Sequence, residues 1–190
     1  MMNHYECDIA IKALLAEKII LFPTDTVWSM ACLPAADQAL WQILELKREK
    51  RAENFELLFY SLDQLRQYCP RLHPRLDTLL AFHERPLTVA LANLQGLPEA
   101  LYNHQGLVNI RVVKQRLSQQ LIRAVEQPLV STPASVNEDQ YPRNFGAIPS
   151  NFLQTADYIM KIRQRDVMEE DQLSVKVRLN AQGELIFLRE

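Results

Sequence analysis

The chain reads as a single α/β domain with a mixed sheet and flanking helices, and three observations predict this. Short apolar runs of strand type alternate with helical periodicity along most of the 190 residues. Near the end, two strand-type runs flank a turn signal and therefore pair as a hairpin. No repeat, low-complexity linker or shift in composition divides the chain, so residues 1–190 read as one domain.

The elements follow in order. Tyr5 to Glu17 places Ile9, Leu14 and Leu15 among alanines and predicts a helix. Ile19 to Phe22 is a β-type run stopped by Pro23, because proline cannot donate to a ladder and holds its predecessor extended. A loop, Pro-Thr-Asp-Thr, then leads into a buried strand over Val27 to Leu33. Ala36, Leu40, Ile43 and Leu44 recur at helical spacing up to about Lys47. Phe55 to Tyr60 predicts a strand, and Leu62 to Tyr68 and Pro74 to His83 two short helices. Leu87 to Ala92 and Leu107 to Val113 predict further strands, and Arg116 to Glu126 a helix. Leu129 to Ser131 is a brief strand entering a polar loop from Thr132 to Ser150, and Phe152 to Met160 fits either period. Leu173 to Leu179 and Glu184 to Leu188 flank Asn-Ala-Gln-Gly and form the hairpin.

Composition narrows function mainly by exclusion. Hydrophobic residues make up 48% and charged residues 23%, which argues against disorder. A net charge of −2 excludes the strongly basic overall field that drives nonspecific nucleic-acid binding, although a local basic patch remains open. Cys7, Cys32 and Cys69 lie far apart, which suits neither a disulfide framework nor a zinc knuckle, and Cys32 reads as a core thiol. His4, His73, His83 and His104 lack ligand spacing, and the acidic run Met168 to Asp171 reads as a solvated loop. No stretch approaches the roughly 20 apolar residues of a membrane span, and the start has no secretory pattern. A cytoplasmic location without a membrane partner is the expectation.

With four glycines, the chain cannot build a glycine-rich phosphate cradle, so any phosphate must be held largely by side-chain donors. Thr24, Asp25 and Thr26 sit in a loop leaving a buried strand, where they either meet a small polar ligand or cap their own backbone. Lys47, Arg48, Lys50 and Arg51 form either an anion clamp or a solvated helix end. The run Leu-Val-Ser-Thr-Pro-Ala-Ser-Val-Asn from Leu129 is either a polar ligand wall or a cluster of turn residues. Arg111, inside an apolar strand, must face solvent or find an acidic or phosphate partner, and solvent-facing alternation is the commoner arrangement.

Taken in order, these pieces resemble the YrdC/TsaC/YciO family over almost the whole chain: a strand ending in PTDT, a helix ending in a Lys/Arg cluster, RPLTVAL, NIRV, PLVSTPAS and a terminal LR. The stretch AENFELLFYSLDQLRQY looks especially like the YciO-type branch. The resemblance implies a twisted open α/β sheet with a positively charged concavity. It also implies an L-threonylcarbamoyladenylate synthase, which condenses L-threonine with bicarbonate or CO2 and transfers AMP from ATP, with Mg2+ accompanying the ATP. The product serves a partner complex that installs N6-threonylcarbamoyladenosine (t6A) in tRNA. Carried over by position, Thr24, Thr26, Thr88 and Ser174 would bind threonine. Lys47, Arg48, Arg51, Arg111, Ser131, Ser135, Asn137 and Arg189 would bind the nucleotide, with Lys47, Arg51 and Thr24 closest to the chemistry.

The sequence also departs from the family pattern. Trp28-Ser29-Met30 stands where Tyr-Gly-Leu is usual, Glu84-Arg85-Pro86 lacks a glycine, and SVK replaces STV. Two other functions therefore stand beside the synthase: a noncatalytic module binding tRNA or double-stranded RNA, and a paralogue acting on a different amine. The synthase reading requires Thr24, Lys47, Arg51, Ser131 and Arg189 to converge on one cavity left open by Trp28 and Arg85.

Overall fold

The computed structural model describes residues 4–136, 141–164, 173–180 and 182–189. Asn137 and the acidic run Met168 to Asp171 lie outside them. Among the described residues, nine strands form one open mixed sheet in the order β7-β1-β2-β6-β3-β5-β4-β8-β9, and six α-helices accompany it.

The order along the chain is α1 (His4–Leu15), β1 (Ile20–Pro23), β2 (Trp28–Cys32), α2 (Asp37–Lys47), β3 (Glu56–Phe59), α3 (Leu62–Tyr68) and α4 (Pro74–Phe82). It continues through β4 (Leu87–Leu91), β5 (Val108–Val112), α5 (Arg116–Val125), β6 (Leu129–Pro133), α6 (Ser150–Thr155), β7 (Tyr158–Ile159), β8 (Val175–Leu179) and β9 (Leu185–Arg189). Local chemistry accounts for several boundaries. Ser61 caps α3 by accepting from the Gln64 N–H. Pro74 opens α4, where its missing N–H costs nothing. The segment with two available periods divides into α6 and the two-residue β7.

Pairing brings distant segments together. β1 and β2 form an antiparallel hairpin, and β6 inserts antiparallel between β2 and β3. β3 runs parallel to β5, and β4 parallel to β8. Since registered neighbours point to the same side of a sheet, the pairs Ser131–Glu56, Arg111–Thr88, Thr88–Lys176 and Lys176–Arg189 lay polar residues along one face. The alternate positions, including Trp28, Met30, Leu57, Phe59, Val89 and Ile110, are core residues. No helix among the described residues is long and apolar enough to cross a membrane.

Candidate functional site

The polar row on the sheet floors a cavity of about 320 Å³, within the range of small-ligand pockets. Thr26, Thr88, Ser131, Ser174 and Arg189 all line it, together with Ser29, Glu56, Asn109 and Lys176. The five side chains named first are separated by up to most of the chain: Thr88, Ser131 and Arg189 are brought in by strand pairing, Thr26 by the loop before β2 and Ser174 by the residue before β8.

Glu56 is the centre of the hydrogen bonding. Its Oε1 accepts from the hydroxyls of Thr88 and of Ser174, the latter at 3.2 Å. The Thr88 and Ser174 hydroxyls are themselves 2.7 Å apart. Arg189 donates through Nε to the Ser174 carbonyl at 2.8 Å and through Nη2 to the Ser174 hydroxyl at 2.7 Å. Burial pushes the Glu56 carboxyl up, but the Arg111 guanidinium, the Thr88 hydroxyl and Arg189 outweigh it and hold the group below its ordinary value. Glu56 is therefore a carboxylate at neutral pH. The Ser131 hydroxyl, facing the same cavity, makes no hydrogen bond among the described residues.

Behind this floor lies Arg111, which is 2% exposed and does not face solvent, contrary to the alternation expected at its strand. Its Nη1 donates to Asp25 at 2.8 Å, and its Nε lies 3.1 Å from Glu56 Oε2 but too poorly aligned for a hydrogen bond. Burial works against its charge, yet the two carboxylates prevail and push its pKa up. Thr24 acts on its own loop. Its hydroxyl donates to the Val27 carbonyl at 2.8 Å and accepts from the Thr26 and Val27 N–H groups, each at 3.1 Å. It does not line the cavity, whereas Thr26 does. The Pro-Thr-Asp-Thr segment thus divides its work: Thr24 builds the turn, Asp25 balances Arg111, and Thr26 faces the cavity.

The basic cluster at the end of α2 does not converge on the cavity. The helix ends at Arg48, in left-handed conformation with φ of 57°, so successive side chains splay apart. Lys47 is buried and donates to the carbonyls of Pro133 and Ser135, bracing the loop after β6 from behind. Arg51 pairs with Glu99 at 3.1 Å. Arg48 and Lys50 are exposed. Ser135 is buried and contributes its carbonyl to Lys47 without lining the cavity. Trp28 leaves the cavity open: it packs on the opposite face, edge-on to Phe145 at 5.3 Å between ring centroids. Arg85 lines a separate hollow with Asp25, Lys114 and Arg163.

A family model for Sua5, YciO and YrdC, described as "Telomere recombination", matches residues 12–190. The chain belongs to this family. It is 28% identical over 164 residues to a threonylcarbamoyl-AMP synthase of Xanthomonas euvesicatoria pv. vesicatoria, covering 84% of this chain and 87% of that one. Among solved structures it is similar to Escherichia coli YciO, with TM-score 0.81 and 18% identity, covering 99% of this chain and 90% of that one. It is also similar to P. abyssi Sua5 in complex with L-threonine, with TM-score 0.84 and 18% identity. All of this chain matches there, spanning 55% of the longer Sua5 chain.

Within this Sua5/YciO/YrdC domain, five of the residues singled out from sequence share the cavity: Thr26, Thr88, Ser131, Ser174 and Arg189. Thr24, Lys47, Arg48, Arg51, Arg111 and Ser135 lie behind it or away from it. Glu56, Asn109 and Lys176 escaped the sequence reading. Their signal is a polar residue interrupting an apolar strand, in Phe-Glu-Leu-Leu, Val-Asn-Ile and Val-Lys-Val. Period-2 alternation could equally have sent them to solvent. Register aligns Glu56 with Ser131, and Lys176 with Thr88 and Arg189, which puts both on the cavity side of the sheet.

Proposed function

We propose that this family member is an L-threonylcarbamoyl-AMP synthase, forming its product from L-threonine, bicarbonate or CO2, and ATP. Of the five residues required to converge, only Ser131 and Arg189 line the cavity, so the clamp expected from Thr24, Lys47 and Arg51 does not support the reading. What carries it instead is the shared cavity, in which hydroxyls from four segments meet the cations Lys176 and Arg189. The relatives named threonylcarbamoyl-AMP synthase and the threonine complex of Sua5 support the same chemistry.

In this reaction the threonine amine takes up CO2 and loses a proton, giving a carbamate. A carbamate oxygen then attacks the α-phosphorus of ATP, forming the acyl-phosphate anhydride as the α–β phosphate bond breaks and pyrophosphate leaves. Such transfer depends on positioning and charge stabilisation and needs no protein nucleophile. Hydroxyls and cations suffice for that task. Lys176 and Arg189 are the cations that line the cavity, whereas Lys47 and Arg51 are directed elsewhere. Magnesium would arrive on the ATP phosphates: among the described residues no group of three or more His, Cys, Asp or Glu is arranged to hold an ion.

The decisive assay incubates the protein with Mg-ATP, bicarbonate and L-threonine. Pyrophosphate release that requires threonine, with the threonylcarbamoyl-adenylate detected by mass spectrometry, is the expected result. Release independent of threonine, or none, overturns the reading.

A further inference from the structure

The cavity carries charge of both signs, and Glu56, the one carboxylate lining it among the described residues, has no role in holding phosphate. Asp25 already neutralises Arg111 through a direct hydrogen bond at 2.8 Å. Glu56 is therefore surplus: Asp25, Arg111 and Glu56 together leave one negative charge on the cavity floor. Hydroxyls from Thr88 and Ser174 solvate that charge without cancelling it. On the other side of the Ser174 hydroxyl stands Arg189, and Lys176 makes no ion pair among the described residues. Arg189 Nη1 likewise makes no hydrogen bond among them. One anion and two cations thus face one small space, bridged by a single serine. An anionic ligand alone meets repulsion at Glu56, and a cationic ligand alone meets repulsion at Arg189 and Lys176.

We infer that Glu56 determines the specificity of this cavity by receiving the ammonium group of a zwitterionic α-amino acid, whose carboxylate lies towards Arg189 and Lys176. The inference rests on the reading above only in taking the ligand to be an amino acid. A charged hydrogen bond formed away from bulk water is strong enough to separate two ligands that differ only in the amine. A free amino acid is selected over the carboxylic acid that lacks only its amine.

Isothermal titration with two ligands tests this, each with and without a nonhydrolysable ATP analogue. They are L-threonine and 3-hydroxybutyrate, which lacks the ammonium. The wild-type protein should bind threonine at least about tenfold more tightly than 3-hydroxybutyrate. Glu56→Gln should bring the two within about twofold by weakening threonine, and Glu56→Asp should restore part of the difference. A purely structural role for Glu56 would weaken both ligands alike and leave their ratio unchanged, which overturns the inference. Equal binding of the two ligands by wild type, or binding of neither, also overturns it. Should Glu56→Gln fail to fold, Glu56→Asp carries the test: a threonine preference narrowed relative to wild type supports the inference, and an unchanged one overturns it. Threonine-dependent pyrophosphate release with an unchanged ligand ratio in Glu56→Gln sinks this inference and leaves the synthase reading standing. The ligand preference without pyrophosphate release does the opposite.

Discussion

Arg111 keeps a full charge in the core because its carboxylate partners come from two segments that folding delivers separately, Asp25 from the loop after β1 and Glu56 from β3. A buried ion whose partner is removed is costly, since the remaining charge has neither water nor counterion. Arg111→Met leaves two carboxylates facing each other and should lower the unfolding free energy by about 3–5 kcal/mol. Urea unfolding measures this, and a cost below about 1 kcal/mol would remove the pair from the account of stability. Adding Asp25→Asn and Glu56→Gln to the same chain should recover much of the loss, as replacing an entire buried ionic cluster is often nearly neutral. Thr24 illustrates the same distinction between what a side chain could touch and what it does touch. Its hydroxyl has a donor and two acceptor positions, and its own loop uses both kinds.

Among the helices and strands, boundaries were legible from sequence because local chemistry sets them: Pro23 ends β1, Ser61 caps α3, and Pro74 opens α4. Helix C-termini were harder to read, since they end without glycine. Both Arg48 after α2 and Glu126 after α5 occupy the left-handed region, at φ of 57° and 58°. A side chain there costs roughly 1 kcal/mol relative to glycine. Glu126 is exposed, and its backbone N–H closes the helix onto Arg123. Glu126→Gly should therefore stabilise the protein by roughly 0.5–1 kcal/mol, seen as a rise in the melting temperature. An unchanged or lower value would show that the entropy glycine adds to the unfolded chain offsets the relief of strain. The splayed end of α2 also explains why the Lys/Arg cluster does not converge on the cavity. Consecutive cations read as a unit in sequence, but a helix terminating in the left-handed region turns each in a different direction. Lys47 points inwards to loop carbonyls and Arg51 outwards to Glu99.

At the level of the whole molecule, the class of fold was legible and the strand order was not. Periodicity reports which face of a segment is buried, not which distant segment covers its edge, and β6 between β2 and β3 joins segments about a hundred residues apart. The same long-range pairing brought Glu56 and Lys176 into the cavity, so they could not be read before the register was known. Long-range closure is also visible at the far edge of the sheet, where Glu6 on α1 accepts from the Tyr158 hydroxyl at 2.6 Å and the Lys161 N–H at 2.9 Å. Burial raises the Glu6 carboxyl, but these two hydrogen bonds and the Lys161 charge outweigh it and hold the group below its ordinary value. Glu56 is depressed in the same direction. A carboxyl depressed in the folded state contributes stability that is complete above its unfolded value of about 4.3 and disappears as pH falls through the folded value. The protein should accordingly hold its stability from neutral pH to about 5 and then lose it steeply. Glu6→Gln should cost about 1–3 kcal/mol at pH 7, the range for a buried hydrogen bond to a charged group. The same substitution should flatten the acid limb, so that mutant and wild type converge once pH has fallen through the depressed folded value of the carboxyl. Parallel melting curves at every pH would mean that the Glu6 carboxylate titrates alike in the folded and unfolded chain, and that α1 is held to β7 by packing alone.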